Sequence, residues 1–331
     1  MKSMRVGNDR KVVAWLKWGA IALFLVWLFY SLSAYYVVQK PFSVPLVAAL
    51  VEQSHVWLRF TFSAAALART LLDLGTAAWL TLVAFGVGQW LLIRGVGQRT
   101  LGTHEISLEM TLYALGLGFG ALGLGTLGFG VAGLLQPAVF YAILLALTLL
   151  TARLTLALLR QWQPPRPPLL LGVYLVLAIG LALTLALLPP TSWDGLFYHL
   201  TGPKLYLEAG RIYAGVDIPH LNFPSLFEML FTMAMAVRGD VAAVLLHFVF
   251  HLMLAGLVCV IAREQLEVKN GWMAILFLYA MPMVLVLASW AYNDLALAFY
   301  QVAALNTVLK WQRHQERKWL ILAGTLCGLA M

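Results

Sequence analysis

Long apolar runs separated by short polar segments dominate the hydropathy pattern of the chain. A helix that crosses a membrane needs roughly 20 apolar residues. Runs of about this length cover residues 12–38, 71–93, 106–131, 137–159, 169–188, 241–262, 272–289 and 295–311. A further run, 319–331, reaches about 20 Å as a helix, short of a hydrocarbon core of about 30 Å. We predict an all-α, polytopic transmembrane bundle of about eight full spans plus a partial ninth.

Two segments interrupt this pattern. Residues 40–70 are apolar but broken by charged side chains, which predicts helices that lie along the membrane surface. Residues 189–238 are the longer polar segment, and aromatic residues at helical spacing predict interfacial helices near 193–206 and 223–237. We expect an N-terminal region, 1–168, with about four spans, and a core, 169–331, that continues beyond the last residue.

Composition excludes most other classes of protein. With 62% hydrophobic and 11% charged residues, the chain is far more apolar than an ordinary soluble domain. The apolar runs are continuous, whereas the strands of a transmembrane barrel alternate. Cys259 and Cys327 both lie inside apolar runs, so no disulfide framework is predicted.

The net charge of +8 follows the membrane topology. With the N-terminus in the cytoplasm, most lysines and arginines fall on the cytoplasmic side, as the positive-inside rule requires. The exceptions are Lys40, Arg59, Arg69, Lys204, Arg211 and Arg238. The basic excess therefore predicts no nucleic-acid partner. The loop 189–238 is predicted to be extracytoplasmic, and so is Asn293–Asp294.

Three features inside the spans have more than one interpretation. Residues 116–133 contain G-x-G-x-x-G repeats, but without a preceding strand they indicate close helix packing rather than a nucleotide site. His247 and His251 share a helix face, which suits a metal, haem or pigment, or hydrogen bonds to a neighbouring helix. Glu109 could pair with Arg153 or lie near the inner interface.

The polar segment carries the best candidates for chemistry. Pro189-Pro190 ends the preceding run, Asp194 follows one turn later, and Tyr198 lies four residues further on the same predicted helix face. From periodicity alone, two surface helices with a solvated aspartate explain these residues equally well.

The motifs resemble a known family. Residues 193–213, WDGLFYHLTGPKLYLEAGRIY, resemble the first outer loop of GT-C-type membrane glycosyltransferases of the protein mannosyltransferase and aminoarabinose transferase branch. Residues 222–230, NFPSLFEML, resemble the start of the next helix in that family, and 291–300, AYNDLALAFY, its second outer acidic motif. The resemblance covers about residues 170–331.

The resemblance implies transfer of a sugar from a polyprenyl-phosphate donor to an extracytoplasmic acceptor at a bacterial plasma membrane. It implies that Asp194 is the catalytic base. The residues it places in substrate binding are Tyr198, His199, Lys204, Arg211, Glu228, Asn293 and Asp294. Gly195 stands where many relatives have a second acidic residue, so no metal ligands are assigned, although a divalent cation remains an option.

Two alternatives stay open. The chain could be a non-catalytic GT-C-like subunit that packs with other membrane proteins and contacts a pigment or haem through His247 and His251. A lipid or ion transporter is disfavoured, because no span shows a row of ionisable residues facing the bilayer midplane. Membrane lipids are expected partners in every case.

Overall fold

A computed structural model describes residues 3–39, 45, 48–49, 51–52, 63–95, 107–161 and 167–330, and every regular element in these ranges is helical. The α-helices are α1 (Ser3–Gln39), α2 (Ala64–Gly95), α3 (Leu108–Val131), α4 (Pro137–Gln161), α5 (Leu169–Ala186), α6 (Thr201–Ala209), α7 (Leu226–Val237), α8 (Asp240–Glu264), α9 (Trp272–Tyr279), α10 (Pro282–Ala288), α11 (Asp294–His314) and α12 (Arg317–Gly328). A π-helical turn, Gly195–His199, precedes α6, and a 3-10 turn, Pro219–Asn222, precedes α7. The all-α prediction is confirmed for these residues.

The chain forms two compact units, residues 1–64 and 65–331. The first contains α1, whose apolar stretch is Trp18–Tyr35. Most of the predicted surface segment 40–70 lies outside the described residues, but 64–70 belong to α2, which starts earlier than predicted. The predicted division at residue 168 stays a prediction.

Six helices in the described ranges are long and apolar enough to cross a membrane. They are α1 to α5 and α8. The run 272–289 is divided into α9 and α10, because Pro282 lacks an N–H group and cannot continue a helix. Helix α11 is long enough, at 21 residues, but it carries polar side chains such as Asn306 and Lys310. A multi-pass membrane protein is therefore supported, whereas eight spans plus a partial ninth is not confirmed.

The glycine-rich helix α3 lies in the core of residues 65–331. A Cβ atom on Gly118 would lie 1.7 Å from the Ala84 carbonyl oxygen, and one on Gly88 would lie 1.7 Å from the Ala114 carbonyl oxygen. The backbones of α2 and α3 are thus in direct contact, which only glycine permits. The packing interpretation of 116–133 is confirmed at this crossing, although Gly125 has open space beside it.

Helix α7 corrects one prediction. It was expected to lie at the membrane interface, but most of its side chains are buried, including Phe227, Leu230 and Phe231. The Leu226 side chain fills the space beside Gly123 of α3. A glycine-rich partner leaves room for α7, so the helix packs into the core instead of lying on a surface.

The polar segments gather at two opposite ends of this unit. At one end, Leu135 donates to the Gly210 carbonyl at 3.0 Å and Ile212 donates to the Gly130 carbonyl at 2.9 Å. We call this end, which includes residues 187–225 and 289–294, the loop end. At the other, the far end, Lys310 forms ion pairs with Glu109 and Glu264. Glu109 therefore pairs with Lys310 and not with Arg153.

Candidate functional site

The π-helical turn presents the first motif at the loop end. Leu200 donates its N–H to the Gly195 carbonyl at 2.9 Å, which closes the wide turn directly after Asp194. A Cβ on Gly195 would lie 2.3 Å from Ser192 Oγ and 3.6 Å from the Ala291 carbonyl oxygen. Glycine at this position lets the turn pack beside the segment before α11. Single π turns occur frequently at functional sites.

His199 and Glu228 form a buried pair between the π turn and α7. His199 Nδ1 lies 2.6 Å from Glu228 Oε1, and the two residues are 2% and 7% exposed. The second oxygen, Oε2, is buried without a hydrogen-bond partner among the described residues. A carboxylate that accepts from Nδ1–H fixes the orientation of the ring and leaves Nε2 available for another contact.

Tyr198 connects the pair to the other acidic residues. Its ring stacks on His220, with centroids 4.6 Å apart, and lies 4.1 Å from the His199 ring. Burial raises the pKa of Tyr198 to about 12, and the negative charges of Asp194, Glu228 and Asp294 contribute further, in that order. The negative charges of three carboxylates from distant parts of the sequence therefore disfavour ionisation of the Tyr198 phenol.

Tyr292 is a member of this site that the sequence analysis missed. Its ring centroid lies 5.4 Å from that of His199. Burial raises the pKa of Tyr292, and the negative charge of Asp194 raises it further. The signal was available, because Tyr292 directly precedes the Asn293–Asp294 motif. Together, the residues at this site form the loop-end cluster: Asp194, Tyr198, His199, Glu228, Tyr292 and Asp294.

The second acidic motif lies at the start of α11. Asp294 is exposed and is the first residue of that helix, where the helix dipole favours a negative charge. Asn293, the preceding residue, is half-buried. The motif is tied to α8 by His247, whose Nδ1 lies 2.8 Å from the Trp290 carbonyl oxygen and whose Nε2 accepts from the Leu295 N–H at 3.2 Å.

The predicted cations do not join the cluster. Lys204 lies on α6, Arg211 follows Gly210, the residue that caps that helix, and both side chains are exposed. Neither side chain contributes an ion pair or hydrogen bond to the loop-end cluster within the described ranges. The only basic side chain in that cluster is His199, as far as the described residues show.

The histidines of α8 do not form a shared metal site. Both ring nitrogens of His247 are bonded to backbone groups, so that ring has no free ligand atom. The ring nitrogens of His251 have no partner in the described part of the chain. No group of three or more His, Cys, Asp or Glu side chains suited to a metal occurs among the residues that were placed.

Two apolar grooves follow α2 and α8 between the two ends. Their volumes are ≈ 370 and ≈ 410 Å³. Both are lined by Thr81, Leu82, Val249 and Leu252, so they adjoin each other. Such a surface can hold hydrocarbon chains.

Comparison with known proteins adds no relative. No protein-family model, curated protein or solved structure matches the chain.

Proposed function

We propose that the protein transfers a sugar from a polyprenyl-phosphate donor to an acceptor at the loop end, as the GT-C resemblance implies. The observation that carries this proposal is the convergence of the three motifs. His199 of the first motif lies 2.6 Å from Glu228 of the second, and its ring centroid lies 5.4 Å from that of Tyr292 in the third. The negative charges of Asp194 and Asp294 both contribute to the raised pKa of Tyr198 in the same place.

In this proposal Asp194 is the general base, as the resemblance implies. Its carboxylate takes the proton of an acceptor hydroxyl or amine while that atom attacks the anomeric carbon. The bond between the anomeric carbon and the phosphate oxygen breaks, and polyprenyl phosphate leaves with the electron pair. Asp194 suits the role because it is half-buried and forms no ion pair within the described ranges.

His199 is the best-placed donor to the departing phosphate. Glu228 compensates a positive charge on the imidazole, and the ring can then donate from Nε2 to a phosphate oxygen. Tyr198, Asn293 and Asp294 can bind sugar hydroxyls. Lys204 and Arg211 remain proposed phosphate contacts, and they require movement of exposed side chains. The prenyl chain can lie in the apolar grooves along α2 and α8.

The proposal includes a membrane orientation. The loop end faces away from the cytoplasm of a bacterial plasma membrane, and the N-terminus lies inside, because this arrangement satisfies the positive-inside rule. A divalent cation could join Asp194 and Asp294 when phosphate binds, since two carboxylates would otherwise repel it.

A transfer assay with matched aspartates tests the proposal. The full chain in lipid nanodiscs is given synthetic polyprenyl-phosphate hexoses and pentoses labelled in the sugar, together with acceptors that carry a hydroxyl or an amine, and transfer of the labelled sugar to an acceptor is measured. Asp194→Asn should lower the rate about 10²–10⁴-fold. Asp217→Asn, which changes an exposed aspartate of the same loop, should leave it unchanged. Full activity of Asp194→Asn would remove the base. No turnover of any donor by the wild type would favour the non-catalytic subunit.

A further inference from the structure

His247 is a buried polar residue whose contacts lie at the second acidic motif. It is in the second turn of α8, 1% exposed, among apolar neighbours. Its two hydrogen bonds reach the residue at each side of the Ala291–Asp294 segment, Trp290 and Leu295. A single ring thus joins both ends of that segment.

The two bonds define the protonation state of the ring. A backbone N–H can only donate, so the bond from Leu295 requires Nε2 to be unprotonated. A carbonyl oxygen can only accept, so the bond to Trp290 requires a proton on Nδ1. Only the neutral ring with its proton on Nδ1 satisfies both. Either the other neutral tautomer or the imidazolium would lose the bond to Leu295.

We propose that His247 is a positioning residue for the second acidic motif. In its Nδ1-protonated form it holds the segment between α10 and α11, so that Asn293 and Asp294 stay beside the loop-end cluster. The role of those two residues in sugar transfer rests on the proposed function. The two hydrogen bonds and the position of the segment do not.

His251 is a natural control on the same helix. It lies one turn after His247, is 0% exposed, and its ring nitrogens have no hydrogen-bond partner among the described residues. The two histidines therefore share a helix, a face and their burial, but only one contacts the acidic segment. Replacing His251 by leucine removes polar atoms that have no partner, which should cost little.

The protonation state is tested by NMR of the full chain labelled with ¹⁵N-histidine in nanodiscs. His247→Asn assigns the His247 signals. We expect Nε2 to resonate as an unprotonated, pyridine-type nitrogen and Nδ1 as a protonated one at neutral pH. A protonated Nε2 at neutral pH would overturn the proposal, whether or not the protein transfers sugars.

The position of the segment is tested by cysteine labelling. Asn293→Cys is introduced with Cys327→Ser, since Cys327 is exposed and Cys259 is buried. Reaction with a water-soluble maleimide is followed by mass spectrometry. His247→Leu should speed labelling about tenfold, because two hydrogen bonds to the segment are lost. His251→Leu should change it less than about twofold.

The variant His247→Asn keeps the test decisive. His247→Asn retains a donor for the Trp290 carbonyl and should label at an intermediate rate, even if His247→Leu does not fold. Equal labelling rates for the folded variants at His247 and at His251 would contradict a positioning role. In the transfer assay, His247→Asn should lower kcat more than it raises KM for the donor. A failure of transfer in the wild type as well as in every variant, with the labelling pattern intact, would reject the proposed function alone.

Discussion

The far-end cluster consists of Glu109, Tyr113, Glu264, Asn306 and Lys310. It and the loop-end cluster each join several helices through polar side chains, but they differ in how their charged groups are paired. At the far end, Glu109 accepts from Tyr113 at 3.0 Å and from Asn306 at 2.7 Å, and its other oxygen pairs with Lys310. Lys310 is also 3.2 Å from Glu264. Both oxygens of the buried carboxylate are therefore satisfied.

At the loop end, the carboxylates keep unused bonding capacity. Glu228 has one oxygen bonded to His199 and one that is buried without a partner in the described residues. Asp194 and Asp294 form no ion pair within those ranges, although they lie close enough to act on the same tyrosine. Glu228 Oε2 is buried, and native proteins rarely leave a buried acceptor unsatisfied without a reason.

The two clusters therefore differ in how many of their acceptor atoms remain available to a ligand. The far-end cluster pairs its charged groups with one another and holds helices α3, α8 and α11 together. Neither oxygen of Glu109 is free to bind a ligand. A cluster that leaves acceptors free beside a half-buried aspartate suits substrate binding.

The largest effect is expected at the far end. Lys310→Met leaves the buried Glu109 carboxylate without its counter-charge, which should lower the free energy of unfolding by about 3–5 kcal/mol. Thermal and denaturant unfolding in detergent would measure the loss. The double variant Lys310→Met/Glu109→Leu should recover most of it, because no unpaired charge remains. Unchanged stability in the single variant would contradict a structural role for the ion pair.

A smaller loss is expected for Glu228→Ala. This change leaves the buried Nδ1 of His199 without its partner, which should cost about 1–3 kcal/mol. Glu228→Gln, which can still accept a hydrogen bond, should cost less in the same unfolding measurement. If the two variants are equally stable, the pair does not hold the π turn against α7.

Asp194→Asn should hardly change stability. The aspartate has no ion pair among the described residues, so neutralising it should shift the free energy of unfolding by less than about 0.5 kcal/mol. The rate of sugar transfer should nevertheless fall about 10²–10⁴-fold. The variant therefore distinguishes a loss of activity from a loss of stability. A loss comparable to that of Lys310→Met would show that Asp194 is structural, and the contrast between the two ends would disappear.

The smallest effect concerns the titration of Tyr198. Its pKa is raised to about 12, above the ordinary value near 10. A raised pKa favours the protonated phenol in the folded state, so its contribution to stability is complete below about pH 10 and is lost as pH rises through about 12. The ultraviolet difference between wild type and Tyr198→Phe should show this ionisation.

Asp194→Asn offers a second measurement on the same tyrosine. It should lower the Tyr198 midpoint only partly towards 10, because burial is the larger cause and the Asp194 charge the next. An unchanged midpoint would place Asp194 too far from Tyr198 for a shared site. Asp217→Asn is again the matched control, and it should leave the midpoint where it was.

Much of the helix pattern could be predicted from the sequence, but the number of spans could not. The runs that became α3, α4, α5 and α8 were located closely, because apolar length alone determines them. The run 272–289 looked like one span, but the helix is broken before Pro282. The burial of α7 was also missed, because its partner α3 is found only when Gly123 and Leu226 meet in three dimensions.

The site was partly visible in the sequence. Asp194, Tyr198, His199, Glu228 and Asp294 were chosen by resemblance, and the structure brings them together. Lys204 and Arg211 were chosen in the same way and remain outside the cluster. Helical spacing and charge do not show which way the side chains point after the π turn Gly195–His199 or after the capping glycine Gly210. That orientation decides whether Lys204 and Arg211 reach the site.

Composition and the lengths of the apolar runs alone predict a helical membrane protein whose polar residues are concentrated in a few short segments. Hydrophobic burial depends on composition and length, so it can be derived residue by residue. Which charges are paired depends on the tertiary structure. His247 bonds to the backbone of Trp290 and Leu295, and Lys310 rather than Arg153 neutralises Glu109, because hydrogen bonds and ion pairs depend on distances between residues far apart in sequence.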